Sequence, residues 1–202
     1  MTISIIGAGG HTRSLINLLE QKFLKINGIY DDNFSLNEKE IINGYPLLGK
    51  KSDCQLGNPI VLSIGNNVER EQEFRRLKGM VFKENLIHNT AFIENKVDMG
   101  LANQIFAHVY INSNVKIGDN NIINTGAVIE HETQIGSHNH ISVHATLCGR
   151  VCIGNSCFIG AGATVIDKIK IGNGVILGAN SVATKDILEQ GTYIGQPARK
   201  VA

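Results

Sequence analysis

The stretch VKIGDNNIINTGAVIEHETQIGSHNHI, residues 115–141, sets Ile117, Ile123, Ile129, Ile135 and Ile141 six apart. The step continues outward in both directions. It runs through Ile87, Ile93, Met99, Ile105 and Ile111 before it, and Leu147, Ile153, Ile159, Val165, Ile171 and Leu177 after it, sixteen positions without a miss. Six fits neither the 3.6-residue turn of an α-helix nor the two-residue alternation of a strand. It is the period of a β-helix built from hexapeptides. The residue after the aliphatic is Gly at 118, 136, 154, 160, 172 and 178, and the residue two before it is usually small, as at Val115, Ala127, Thr133, Ala145, Val151, Cys157, Ala163, Val175 and Ser181. Three hexads then make a triangular coil of eighteen residues, with the aliphatics inside and Gly or Asn at corners where φ turns positive. We expect a left-handed parallel β-helix over residues 86–202, with about five coils stacked about 4.8 Å apart. Such a prism has flat sides and closes by rotational symmetry, which predicts a homotrimer.

Residues 1–85 carry no such repeat and read as a small α/β unit, a Rossmann-like nucleotide-binding domain. A buried strand at residues 2–6 runs into Gly7-Ala8-Gly9-Gly10-His11. Leu15, Ile16, Leu18, Leu19 and Phe23 then mark one helical face. Strands follow at 26–30 and 59–64, a charged helix at 68–78 and a short strand at 80–82. In this pattern the loops at the carboxyl ends of the strands hold ligand. The glycines let a diphosphate approach the backbone at a helix start. Asp31 and Asp32, about twenty residues on, can accept hydrogen bonds from a ribose or base. Thr12 stands where the dinucleotide fingerprint has Gly, and the unit is short for a complete dinucleotide domain, so NAD is disfavoured.

The formal net charge of +1 gives no footprint for nucleic acid. No apolar run is long enough to enter a membrane as a span, and the start lacks the pattern of a signal peptide. Cys54, Cys148, Cys152 and Cys157 have neither disulfide-framework nor zinc spacing, which fits a cytoplasmic protein.

Several segments together resemble the bacterial sugar acetyltransferases of the PglD/NeuD type. They are Ile6-Gly7-Ala8-Gly9-Gly10-His11, Tyr30-Asp31-Asp32, Ile64-Gly65-Asn66-Asn67, Leu86-Ile87-His88, Val128-Ile129-Glu130-His131-Glu132 and Ile194-Gly195-Gln196-Pro197-Ala198-Arg199. The resemblance runs the length of the chain, with departures at Thr12 and at Asn89, where the family often has Pro. It implies a nucleotide-activated sugar on the N-terminal unit, held by Gly7, Gly9, Gly10, His11, Asp31, Asp32, Gly65, Asn66 and Asn67. It implies acetyl-CoA in a groove between adjacent β-helices, beside His140, Gly149, Gly160 and Gly178, with Pro197 in a loop over the adenine. His131 corresponds to the general base, Glu132 to its carboxylate partner, His140 to a second active-site histidine, and Gly149 to the glycine whose N–H faces the thioester carbonyl. The expected activity is N-acetylation of a UDP-linked 4-amino sugar. An O-acetyltransferase of sialic acid or another sugar hydroxyl is the alternative.

Spacing alone brings part of this site together. Residues eighteen apart are neighbours in stacked coils, so His131 and Gly149 meet whatever the family. A neutral imidazole can take the proton of an attacking amine, and a bare amide can stabilise the oxyanion. Successive residues of a strand point to opposite faces, so Glu132 reaches His131 only if a corner turns between them, and Glu130 is the other candidate. Lys185, Arg199 and Lys200 are candidates for the coenzyme phosphates. His108, His138, His140 and His144 invite a zinc hydratase reading, by resemblance to a carbonic-anhydrase family that holds zinc with three histidines on a β-helix. His108 and His144 match its first two ligands, but where that resemblance puts the third this chain has Gly149, and we expect no catalytic metal. A non-catalytic sugar-binding scaffold is the remaining alternative.

Overall fold

The computed structural model describes residues 1–33, 41–54 and 57–201. The chain divides into two compact units, Met1–Leu86 and Ile87–Ala202.

In the first unit, strand β1 (Thr2–Ile6) leads into helix α1 (Gly10–Gln21) and strand β2 (Lys25–Tyr30). A hairpin of β3 (Ile41–Ile42) and β4 (Tyr45–Gly49) follows, then β5 (Ile60–Leu62) and helix α2 (Asn67–Arg76). The sheet order is β3-β4-β2-β1-β5, parallel except for the antiparallel β3 at its edge. This is a smaller, mixed version of the expected α/β unit, with two α-helices among the described residues. The β3-β4 hairpin was not anticipated from sequence, although Asn43 (φ 47°) and Gly44 (φ 87°) form the Asn-Gly turn that hairpins favour. Pro46 and the exposed Leu48 break the apolar alternation that would have marked β4. Phe23, expected on the buried helical face, lies past the end of α1 at 92% exposure. The expected strand at 80–82 is reduced to one bridge between Ile60 and Val81.

The second unit is a left-handed parallel β-helix. One wall stacks Gln104–Ile105, Ile122–Ile123, His140–Ile141 and Phe158–Ile159. The second stacks Phe92–Ile93, Tyr110–Ile111, Val128–Ile129, Thr146–Leu147 and Thr164–Val165. The third stacks Asp98–Met99, Lys116–Ile117, Gln134–Ile135, Cys152–Ile153 and Lys170–Ile171. The aliphatic stripe fills the interior, with Ile105, Ile111, Ile123, Ile129, Ile141, Leu147, Ile159, Val165 and Leu177 fully buried. Each such side chain contributes roughly 1.5–3 kcal/mol of transfer free energy, which drives the winding. Past Leu177 the helix continues for a further, shortened turn. Ile171 bridges Ile187 and Leu177 pairs with Tyr193, a step of sixteen, and a C-terminal hairpin of Gly191–Gly195 and Ala198–Val201 closes the first wall.

A positive φ recurs at every sixth residue from Lys96 to Asn180. Only Asn114, Asn120, Gly126, Gly162, Gly174 and Asn180 are of the expected types, while Lys, Ala, His, Glu, Arg and Ser occupy the other corners. A left-handed conformation costs about 1–2 kcal/mol at such residues. Their N–H groups offset it by donating across coils, as Glu132 does to the Ser113 carbonyl (3.1 Å) and Arg150 to that of His131 (2.9 Å). Inside one edge a column of buried asparagines replaces the small apolar residues. Asn103 Oδ1 accepts from the N–H of Asn121 (2.9 Å), Asn121 Oδ1 from that of Asn139 (2.8 Å) and Asn139 Oδ1 from that of Cys157 (2.7 Å).

Candidate active site

Two groups of expected residues converge, one on each unit. In the first unit a cleft of about 430 Å³ is lined by Gly7, Gly9, Asp31, Asp32, Gly65 and Asn66, together with Asn33, Lys51, Ser63, Ile64 and Glu69. These lie at the carboxyl ends of β1, β2 and β5, where the chain places β2 on one side of β1 and β5 on the other, and where ligands bind in open α/β sheets. Gly7 is required there. Its φ is +109°, and a β-carbon would stand 2.4 Å from the Ser63 carbonyl oxygen. Thr12, the departure from the family pattern, is fully buried and has a structural task. It donates from Oγ1 to the Gly7 carbonyl (2.8 Å) and accepts from the Ser63 hydroxyl (2.9 Å).

Asp31 serves the chain itself as well as the cleft, since its carboxylate accepts from the N–H groups of Ala8 (2.9 Å) and Asn33 (2.9 Å). Asp32 pairs with Lys51 at 3.3 Å, and Lys51 also holds Glu69. Burial pulls the Lys51 ammonium down, but Glu69 and Asp32 outweigh it and hold the pKa above its ordinary value. Nothing in the spacing flagged Lys51 or Glu69, because the sheet alone brings them to the cleft. Gly10 and His11 open α1, and Asn67 is turned inward to accept from Arg70 (2.8 Å). Arg70, fully buried, also donates to the Ile64 carbonyl (3.0 Å) and so fixes the loop 64–67. Burial lowers it to about 9, which leaves it charged at neutral pH.

On the β-helix, His131 occupies the corner between Val128–Ile129 and Gln134–Ile135. Glu132 takes φ 60°, and that turn swings its carboxylate back to within 3.2 Å of His131 Nδ1. Glu130 instead accepts from Asn112 (2.6 Å). In the neutral tautomer that donates from Nδ1 to Glu132, Nε2 carries the lone pair. The ring lies against Gly149, one coil on: a β-carbon there would meet Cε1 and Nε2 at 2.7 Å. The glycine therefore seats the imidazole against the wall. The coil ladder uses the Gly149 carbonyl, which accepts from the N–H of Lys168 (3.0 Å), and among the described residues nothing accepts from the Gly149 N–H. Lys185 is exposed, in the corner where the last turn shortens.

His140 lies elsewhere on the prism. It is buried on the first wall, 3.2 Å from the Asn124 amide and edge-on to Phe158 at 5.1 Å. Gly160 and Gly178 follow it down the same wall, where each lets the next coil approach closely. Pro197 is exposed in the turn of the C-terminal hairpin and follows a cis peptide bond. His138 bonds Asn120 (2.9 Å), and among the described residues no three His, Cys, Asp or Glu side chains are placed to hold a metal ion.

The family description "PglD N-terminal domain" matches residues 2–77, and "Bacterial transferase hexapeptide (six repeats)" matches 151–185. Among solved structures, PerB from Caulobacter crescentus in complex with CoA and GDP-perosamine is similar at 30% identity. The match covers 100% of this chain and 98% of that one, with a TM-score of 0.92. The acetyltransferase domain of PglB from Neisseria gonorrhoeae FA1090 is similar at 28% identity, over 99% of each chain, with a TM-score of 0.91. A curated relative, uncharacterized protein L142 of Acanthamoeba polyphaga mimivirus, is 33% identical over 108 residues, which is 52% of this chain and only 21% of that protein. The chain belongs to the hexapeptide-repeat sugar acetyltransferases of the PglD/NeuD type. It is an enzyme of that class.

Proposed function

We propose that this chain transfers the acetyl group of acetyl-CoA to the amine of a nucleotide-linked amino sugar, a UDP-linked 4-amino sugar in our reading. The observation that carries the proposal is the His131 imidazole, oriented by Glu132 and seated on Gly149, whose N–H has no acceptor among the described residues. His131 Nε2 removes the amine proton as the nitrogen attacks the thioester carbon. The Gly149 N–H stabilises the developing oxyanion, and Glu132 stabilises the imidazolium. The N-terminal unit serves as a Rossmann-like holder for the nucleotide, with its cleft between the ends of β1, β2 and β5. PerB, whose structure is described with GDP-perosamine, supports the class of substrate and puts a GDP-sugar among those to be tried.

His131 stands at the corner between the second and third walls, and His140 with Gly160 and Gly178 on the first. A site that uses both sets draws them from two copies of the chain, which supports a homotrimer with acetyl-CoA between neighbouring prisms. None of the four cysteines forms a disulfide among the described residues, which supports a cytoplasmic setting.

Transfer is direct. Cys148 follows Glu130 by one coil, and burial, with Glu130 and Asp167, holds its thiol above the ordinary range. It is therefore a poor nucleophile at neutral pH. Cys148→Ala is expected to keep turnover within about threefold, and a burst of thiol release lost in that variant would reverse this assignment. The functional reading is tested by thiol release from acetyl-CoA against UDP- and GDP-linked amino sugars and free sialic acid. Release with an amino sugar is expected, and release with none of them overturns the proposal.

A further inference from the structure

The corner column that carries His131 and Gly149 continues to Asp167, which the mechanism above does not use. Asp167 Oδ1 and His131 Nε2 lie 3.1 Å and 2.7 Å from the same point, the place a β-carbon on Gly149 would take. The two acceptors are thus no more than about 6 Å apart, on either side of the Gly149 backbone, a gap that one nitrogen spans with two ordinary hydrogen bonds. Asp167 is also held. Arg150, the next residue after Gly149, donates from Nη2 to Oδ1 (2.9 Å) and Oδ2 (3.1 Å). That contact occupies one side of the carboxylate, and an ionised carboxylate has about four lone-pair directions.

We infer that Asp167, positioned by Arg150, is a second acceptor for the attacking group and selects an amine over a hydroxyl. A neutral primary amine has two hydrogens and a hydroxyl has one. During attack the nitrogen lone pair forms the N–C bond and the C–S bond breaks, its electron pair leaving on the coenzyme thiolate. One N–H proton passes to His131 Nε2 and then to the thiolate. The other stays on nitrogen as the amide N–H and is the one Asp167 accepts. A hydroxyl gives its single proton to His131 and has nothing left to donate to Asp167.

The inference rests on the acetyltransferase reading with His131 as base. Its test compares kcat/KM for the preferred amino sugar with that for the same sugar carrying a hydroxyl in place of the amine. Asp167→Ala is expected to lower the amine value at least about tenfold, to leave the hydroxyl value within about twofold and to leave the KM for acetyl-CoA unchanged. Asp167→Asn keeps an acceptor oxygen and should recover part of the preference, and it carries the test if the alanine variant is unstable. Equal losses on both acceptors, or none on either, overturn the assignment. If the wild-type chain releases thiol with no amino sugar, the acetyltransferase reading itself fails and this inference goes with it. If His131→Ala keeps turnover within tenfold of the native rate, the base is wrongly assigned, and this inference, which needs the first proton to pass to His131, falls with it.

Discussion

Replacing His131 by Ala lowers the turnover number for sugar-dependent thiol release at least about 100-fold, while acetyl-CoA binds with unchanged affinity within about threefold. The size follows from what the ring supplies. A sugar amine attacking a thioester must shed a proton, and a positioned base contributes typically 100- to 10,000-fold to such a step. Glu132 faces Nδ1, Glu130 is held by Asn112, and Asp167, paired with Arg150, accepts the hydrogen that stays on nitrogen, so none of the three takes over as base. The substituted site keeps the Gly149 N–H and the coil walls, so its remaining activity reflects binding and oxyanion stabilisation alone. Stopped assays of thiol release and calorimetric titration with acetyl-CoA check the two halves of the expectation. Turnover within tenfold of the native rate takes His131 out of the mechanism.

Asn139→Ala destabilises the β-helix by about 3–5 kcal/mol, measured by urea unfolding with far-ultraviolet circular dichroism. Asn139 is fully buried, and its side chain ties its own coil to the next. Its Oδ1 accepts from the Cys157 N–H (2.7 Å), and its Nδ2 donates to the Gly154 carbonyl (2.9 Å). Alanine removes both partners at once and leaves a buried donor and a buried acceptor unpaired, each costing about 1–3 kcal/mol, beside a small cavity. Leucine, similar in volume, fills the space but still orphans the same two groups, so it should not restore stability. A loss below 1 kcal/mol for both variants means that water or backbone movement satisfies the freed groups.

The six-residue stripe was enough to predict the prism, because its interior admits one aliphatic per wall and excludes charge. That selection is written into every coil from Ile105 to Leu177. The same register placed His131 beside Gly149, since a step of eighteen is a property of the winding itself. The α/β unit was only partly readable. β4 carries Pro46 and an exposed Leu48, so its place in the sheet follows from pairing with β2 and not from a pattern of its own. Positive φ falls on Lys, His, Glu and Arg as readily as on glycine, because stacked coils force the corners and inter-coil hydrogen bonds offset the strain. For that reason only the folded chain could decide that Glu132, turned by its own left-handed backbone, meets the imidazole while Glu130 does not. The cleft residues Lys51 and Glu69, and the carboxylate of Asp167 opposite His131, likewise depend on contacts between segments whose side-chain directions no local rule fixes. Sequence determined which residues face inward along the prism, since burial is periodic. Tertiary structure decided which polar groups share a space, since that depends on where each corner aims its side chains.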